Sequence, residues 1–112
     1  MELRVIERDD DLTQVALVGR LDIAGVQRVD ARFHEAVVAR DRSAIIDLTE
    51  LEFIVSLGIG MLLRCARSLR AGGKSMVLVN PQDLVVKSLQ VTSLDSVIPV
   101  VKSVVEAEGL LK

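Results

Sequence analysis

The chain has 112 residues, a length that suits one domain with a single core and is short for two. Half of it is hydrophobic and 27% is charged, a balance that fits a compact folded domain and excludes a disordered or low-complexity one. The net charge is −2, the only basic grouping is the scattered Arg64, Arg67, Arg70 and Lys74, and Trp and Tyr are absent. Nucleic-acid binding is therefore without support, and a protein partner is the expectation.

Leu3–Glu7 and Val15–Gly19 have the β-branched content and short length of strands. The acidic link Arg8-Asp9-Asp10-Asp11 between them reads as the turn of a hairpin. After Gly19-Arg20-Leu21-Asp22, apolar residues recur at Val26, Val29, Phe33 and Val37, one stripe of a helix with Asp22 placed to cap it. Ala44–Leu48 is a short, mostly apolar run, as expected of a central strand buried on both faces.

Leu57–Leu69 carries Met61, Leu62, Cys65, Ala66 and Leu69 at helical spacing, and Gly72-Gly73 stop it. Ser56 opens this helix, where a serine ordinarily serves as the cap. Met76–Val79 reads as a further strand, and Asn80-Pro81 as an N-cap followed by proline in the first helical position of a short amphipathic helix. Val97–Val101 reads as a last edge strand that tolerates Pro99, and Ser103-Val104-Val105-Glu106 as a capping box opening a terminal helix. The order is ββαβαβαβα, an α/β layer in which a mixed sheet of four to five strands carries its helices mostly on one face. Residues 1–112 form a single domain on this reading, without linker or internal repeat.

Charges interrupt every apolar run well before the ~18 residues of a membrane span, and Met-Glu-Leu-Arg-Val lacks the apolar core of a signal peptide. The expected location is the cytoplasm, with no direct membrane insertion. Cys65 has no cysteine to pair with and sits on an apolar helix face, the setting of a small core side chain rather than a reactive thiol. His34 is the sole histidine and reads as a solvated helix residue, so neither a histidine-based metal cluster nor a Ser/His dyad has support. Asp47, Glu50 and Glu52 lack an anchored partner for acid/base work, and the sequence gives no case for an enzyme.

The stretch from Asp47 to Gly60, Asp47-Leu48-Thr49-Glu50-Leu51-Glu52-Phe53-Ile54-Val55-Ser56-Leu57-Gly58-Ile59-Gly60, reads as the end of a buried strand, a short loop and a helix start. It resembles the signature of the STAS family of bacterial anti-sigma-factor antagonists, roughly D-L-S-x-x-x-F-M-D-S-S-G-L-G, and the element order from Leu3 to Leu111 is also that family's. The family's phosphorylated serine falls on Ser56. Two positions depart from the pattern: Val55 stands for the acid before that serine, and Leu57 for the serine after it. Loss of the acid removes a hydrogen-bonding neighbour from the hydroxyl and changes the charge that a kinase would meet.

The resemblance implies a phosphorylation-controlled binding module with no cofactor. Unmodified, it would dock onto an anti-sigma factor or related serine kinase and displace that protein's client; phosphorylation of Ser56 would end docking, and a PP2C-type phosphatase would reset it. The implied partner surface comprises Asp22, Ile23, Ala24, Thr49, Val55, Leu57, Gly58 and Ile59, with Val55, Leu57 and Ile59 as exposed apolar contacts. From the residues alone, Asp22 reads first as a helix cap, and Gly58 and Gly60 first as a matter of close helix-to-sheet packing. Gly58-Ile59-Gly60 without a third glycine or a Gly-Lys-Ser/Thr run is weak support for a nucleotide site. Two other functions remain open: a constitutive STAS subunit of a transporter or sensory assembly, and a small-anion binder at the Gly58/Gly60 helix start.

Overall fold

A computed structural model describes residues 1–6 and 11–111. The chain runs through β1 (Glu2–Ile6), β2 (Leu12–Leu21), α1 (Ile23–Val37), β3 (Ser43–Asp47), β4 (Leu51–Ile54), α2 (Ser56–Ala71), β5 (Met76–Val79), α3 (Asp83–Val91), a 3₁₀ turn (Leu94–Ser96), β6 (Val100–Val101) and α4 (Val104–Leu111). β1 and β2 form the expected antiparallel hairpin, whereas Glu7 of the expected first strand and Arg8, Asp9 and Asp10 of its anticipated link lie outside the described residues. The remaining pairings are parallel and give the order β1-β2-β3-β5-β6, with β3 central as its apolar run requires.

Alternation along the strands assigns two faces. Ala44 and Ile46 of β3 and Met76 and Leu78 of β5 join the large core beneath α1, α2 and α3, with Phe33, Met61, Leu62 and Leu69 wholly buried there. Ile45 of β3 and Val77 and Val79 of β5 point the other way and pack with Leu12 and Ala107 of α4. Three helices therefore cover one face and one covers the other. Burying each large side chain contributes about 1.5–3 kcal/mol, so this two-sided sheet is the main source of cohesion.

The sheet has six strands rather than four to five, because Leu51–Ile54, expected as loop, is a strand. β3 occupies the edge of β2 only from Leu12 to Ala16, which leaves Gly19–Leu21 with an unpaired edge. β4 takes it, in the register Gly19↔Leu51 and Leu21↔Ile54 with an irregularity between Gly19 and Arg20. The last edge strand is shorter than expected, two residues just beyond Pro99, whose carbonyl accepts the Leu78 N–H at 2.9 Å. The terminal capping box forms by half: Ser103 Oγ accepts the Glu106 N–H at 3.2 Å, while the Glu106 carboxylate reaches Lys102 N instead of Ser103 N.

Candidate functional site at the carboxyl rim

Parallel strands deliver their following helices to one edge of the sheet, the carboxyl rim, where α1, α2 and α3 all begin. β2 ends at Leu21, and Asp22 then caps α1 through a 2.8 Å bond from the Gly25 N–H to its Oδ1. The expected cap is therefore real, and Asp22 is half-buried in that role. Ile23 and Ala24 follow it on the surface, with Ile23 61% exposed.

β4 ends beside β2. The Val55 N–H donates to the Leu21 carbonyl at 3.0 Å, which keeps Val55 extended at φ −96° and ψ 168° as a last strand-like residue. Its own carbonyl accepts from Gly58 and Ile59 at 2.9 and 3.1 Å, so Val55 is the N-cap of α2 and Ser56 is already inside the first turn. The capping role expected of Ser56 is thus not taken. Its side chain is exposed, and its hydroxyl makes no hydrogen bond among the described residues.

The apolar neighbours divide. Leu57 is 47% exposed beside Ser56, and Val55 is half-buried. Ile59 is 8% exposed rather than an open contact, because one turn of helix carries it from the rim toward the core and α3. Gly58 is buried too: a Cβ there would stand 2.8 Å from Leu21 Cδ2 and 2.9 Å from Ile54 Cγ1, so its glycine serves close packing. At Gly60 a Cβ would meet only the flexible tip of Arg64, at 3.3 Å. The pair is consequently not a glycine cradle open to a phosphate.

Thr49 lies on the α3 side of the rim. Its N–H and hydroxyl both donate to Asp47 Oδ1, at 3.0 and 2.6 Å, while Asn80 Nδ2 donates to its Oγ1 and Gln82 Nε2 to its carbonyl. This network explains why Asn80 does not cap α3. Its N–H is committed to Val101 of β6 at 2.8 Å with φ at 53°, and the helix starts only after Gln82. Arg20 sits 4.5 Å over the Phe53 ring, and Arg4 reaches Glu50 at 3.3 Å, so these charges are held on the surface next to the rim.

The residues that sequence reasoning missed are on α3. A groove of about 270 Å³ separates α2 from α3, with Ile54 and Ile59 deep in it and Ser56 on its lining. Leu84, Lys87, Ser88, Val91 and Thr92 form the α3 side, with Leu84 55% and Val91 85% exposed. The signal was present: Val85 and Leu89 make the buried stripe of α3, so the apolar Leu84 and Val91 fall off it. Cys65 is buried as expected, its thiol pushed up to about 11 by burial and by the Asp30 charge. His34 is an exposed residue of the last turn of α1. Among the described residues no group of His, Cys, Asp and Glu could hold a metal ion, and no helix is long and apolar enough to cross a membrane.

Comparison with known proteins decides the family, because residues 4–107 match the STAS domain. The chain belongs to the STAS domain family. Among its relatives is the anti-sigma-B factor antagonist of Listeria monocytogenes, 25% identical over 100 residues, which cover 89% of this chain and 88% of that protein. The fold superposes on an anti-sigma factor antagonist from Mycobacterium paratuberculosis with a TM-score of 0.84 at 21% identity, covering 98% of this chain and 94% of the other. The phosphorylated form of the Bacillus cell fate determinant SpoIIAA gives 0.72 at 23% identity, covering 96% and 97%. The α/β architecture, with its mixed sheet and four helices, is therefore that of STAS domains.

Proposed function

We propose that this STAS domain is a phosphorylation-controlled protein-binding regulator that acts without catalysis of its own. Its partner is an anti-sigma factor or related serine kinase, and the unmodified form displaces that protein's client. The observation that carries the reading is Ser56: an exposed hydroxyl in the first turn of α2, bound to nothing among the described residues, next to the exposed Leu57 on the rim where α1 also begins with the exposed Ile23. A serine spent on capping would be a poor acceptor; this one is free. The relationship to anti-sigma factor antagonists supports the class of partner, and SpoIIAA, of the same fold, has a phosphorylated form.

Phosphorylation would replace the hydroxyl proton with the γ-phosphoryl group of a nucleoside triphosphate held by the kinase, releasing the diphosphate. The phosphate adds about 1.5–2 negative charges, and the α2 dipole returns only about 0.3–1 kcal/mol, so the fold stays as it is. The effect falls on the interface, where an unpaired desolvated charge costs about 3–5 kcal/mol. A PP2C-type phosphatase would restore the hydroxyl, and the regulator would work in the cytoplasm. Asp22, Ile23, Ala24, Val55 and Leu57 form the partner rim, with Thr49 bracing it from the α3 side and Gly58 and Ile59 beneath it.

Val55 and the half-exposed Leu57 favour a second reading, since both make the rim more apolar than a kinase site requires. On that reading the domain is a constitutive subunit of a transporter or sensory assembly, and Ser56 is never modified. Intact-mass and peptide mapping of the chain from its native cells, with its co-purifying protein, separates the two. One phosphate on Ser56, with a kinase-like partner bound only to the unmodified form, is the expected result. A persistently unmodified Ser56 in a stable complex would overturn it. In parallel, Ser56→Asp should weaken partner binding at least about tenfold, a 1.4 kcal/mol effect, with the fold unchanged; equal affinity would remove the switch.

A further inference from the structure

We infer that Lys87 of α3 is the counter-ion for a phosphate on Ser56, so that modification bridges α2 and α3 across the groove between them. The inference rests on the reading of Ser56 as the modified residue. Ser56 and Lys87 come from different helices yet line the same groove, and among the described residues Lys87 is the only charged side chain lining it. The rest of the lining is the apolar Ile54, Ile59, Leu84 and Val91, with Ser88 and Thr92, whose hydroxyls donate to the Leu84 and Ser88 carbonyls of α3.

Lys87 is also uncommitted. It makes no ion pair with any described residue, whereas Arg64 of α2 is paired with Asp30 at 3.6 Å and Arg70 donates to the Val97 carbonyl at 3.0 Å. An exposed ammonium on a flexible stem reaches over several ångströms, and apolar walls on both sides strengthen its attraction to an anion relative to open water. The α2 N-terminus offers a phosphate a modest attraction through its dipole, and of its first-turn N–H groups Gly58 and Ile59 are turned back to Val55, so Ser56 and Leu57 supply neutral donors but no charge. A phosphate on Ser56 therefore finds its strongest neighbour in Lys87. The pairing cancels the one positive charge of the groove and places an ion pair over its apolar lining, so a partner loses the groove as well as the rim.

The test installs phosphoserine at position 56 by genetic encoding, which needs no kinase and no partner, and follows the phosphate by ³¹P NMR through its second ionisation near pH ~6. The chain with Lys87 should titrate about half a unit or more lower than its Lys87→Met variant, since a neighbouring cation favours the dianion. Lys87→Arg should restore the low midpoint and Lys87→Glu should raise it above that of Lys87→Met. Lys87 is exposed, so these variants keep the fold, which circular dichroism checks. Equal midpoints across the four proteins would overturn the pairing while leaving the Ser56 switch standing. Failure of the switch itself would show separately, as a native chain that carries no phosphate.

Discussion

The side chain of Leu21 occupies the space that a Cβ on Gly58 would need, with Cδ2 only 2.8 Å from that position. Leu21 is wholly buried, and its carbonyl also holds the Val55 N–H. The end of β2 thus fixes the start of α2 through both backbone and side chain, and the height of the Ser56 turn above the sheet is set by a glycine. Gly58→Ala should displace that turn and lower stability by up to about 2 kcal/mol, overpacking of about 1–3 kcal/mol set against the ~1 kcal/mol gained in helix propensity. Gly60→Ala meets only the tip of Arg64 and should raise stability by about 0.5–1 kcal/mol. Urea denaturation of the pair measures both; two stabilised variants would show that Gly58 is not a packing glycine.

Thr13 is buried at 1% exposure on β2, opposite Ala44, and its hydroxyl has no hydrogen-bond partner. An unsatisfied buried hydroxyl costs about 1–3 kcal/mol, and valine nearly preserves the shape. Thr13→Val should raise stability by about 1 kcal/mol with little change in the denaturant slope, read by the same denaturation. A loss of stability would mean that the hydroxyl has a partner after all.

Asp22 joins two roles that substitutions separate. Asparagine caps as well as aspartate, so Asp22→Asn should keep the bond to Gly25 and nearly full stability, while Asp22→Ala should cost about 1 kcal/mol. If the rim charge matters to the partner, Asp22→Asn weakens binding without moving the thermal midpoint. Unchanged binding by Asp22→Asn would reduce Asp22 to a cap.

Much of this geometry is legible in the residues, and the parts that are not share a cause. The hairpin, the stripe of α1 and the two-sided β3 follow from periodicity, because each element's own pattern states which face it buries. β4 does not: Leu51-Glu52-Phe53-Ile54 becomes a strand because β2 outruns β3 and leaves an edge, a fact of pairing rather than of propensity. The same pairing holds Val55 extended and moves Ser56 from cap to first turn. Asn80 likewise loses its capping place, because its backbone turns to φ 53° after β5 and its side-chain amide reaches Thr49. The serine itself is legible through the family pattern, whereas the groove beside it needs α2 and α3 in place; Lys87 stands far from Ser56 in sequence and shares a groove with it only once the two helices pack.

Cys65 makes alkaline stability a test of the core. Burial comes first in pushing its thiol up to about 11 from an ordinary value near 9, Asp30 adds to the rise and Arg64 opposes it. Below pH ~9 the thiol is protonated in both the folded and the unfolded chain, and its contribution to stability is complete. Between about 9 and 11 the unfolded chain releases the proton while the folded chain keeps it, so stability falls as pH rises, by roughly 2–3 kcal/mol over the window. The chain contains no tyrosine, which removes the other common titration there, and the lysines are shared with any Cys65 variant. Cys65→Ala should be less stable than the natural chain at pH 7.5 through lost packing, and the gap should narrow steadily toward pH 10.5. Denaturation curves at four or five pH values measure that difference. A gap that stays constant would mean that the folded thiol ionises as freely as the unfolded one, and that Cys65 is not sealed beneath α1 and α2.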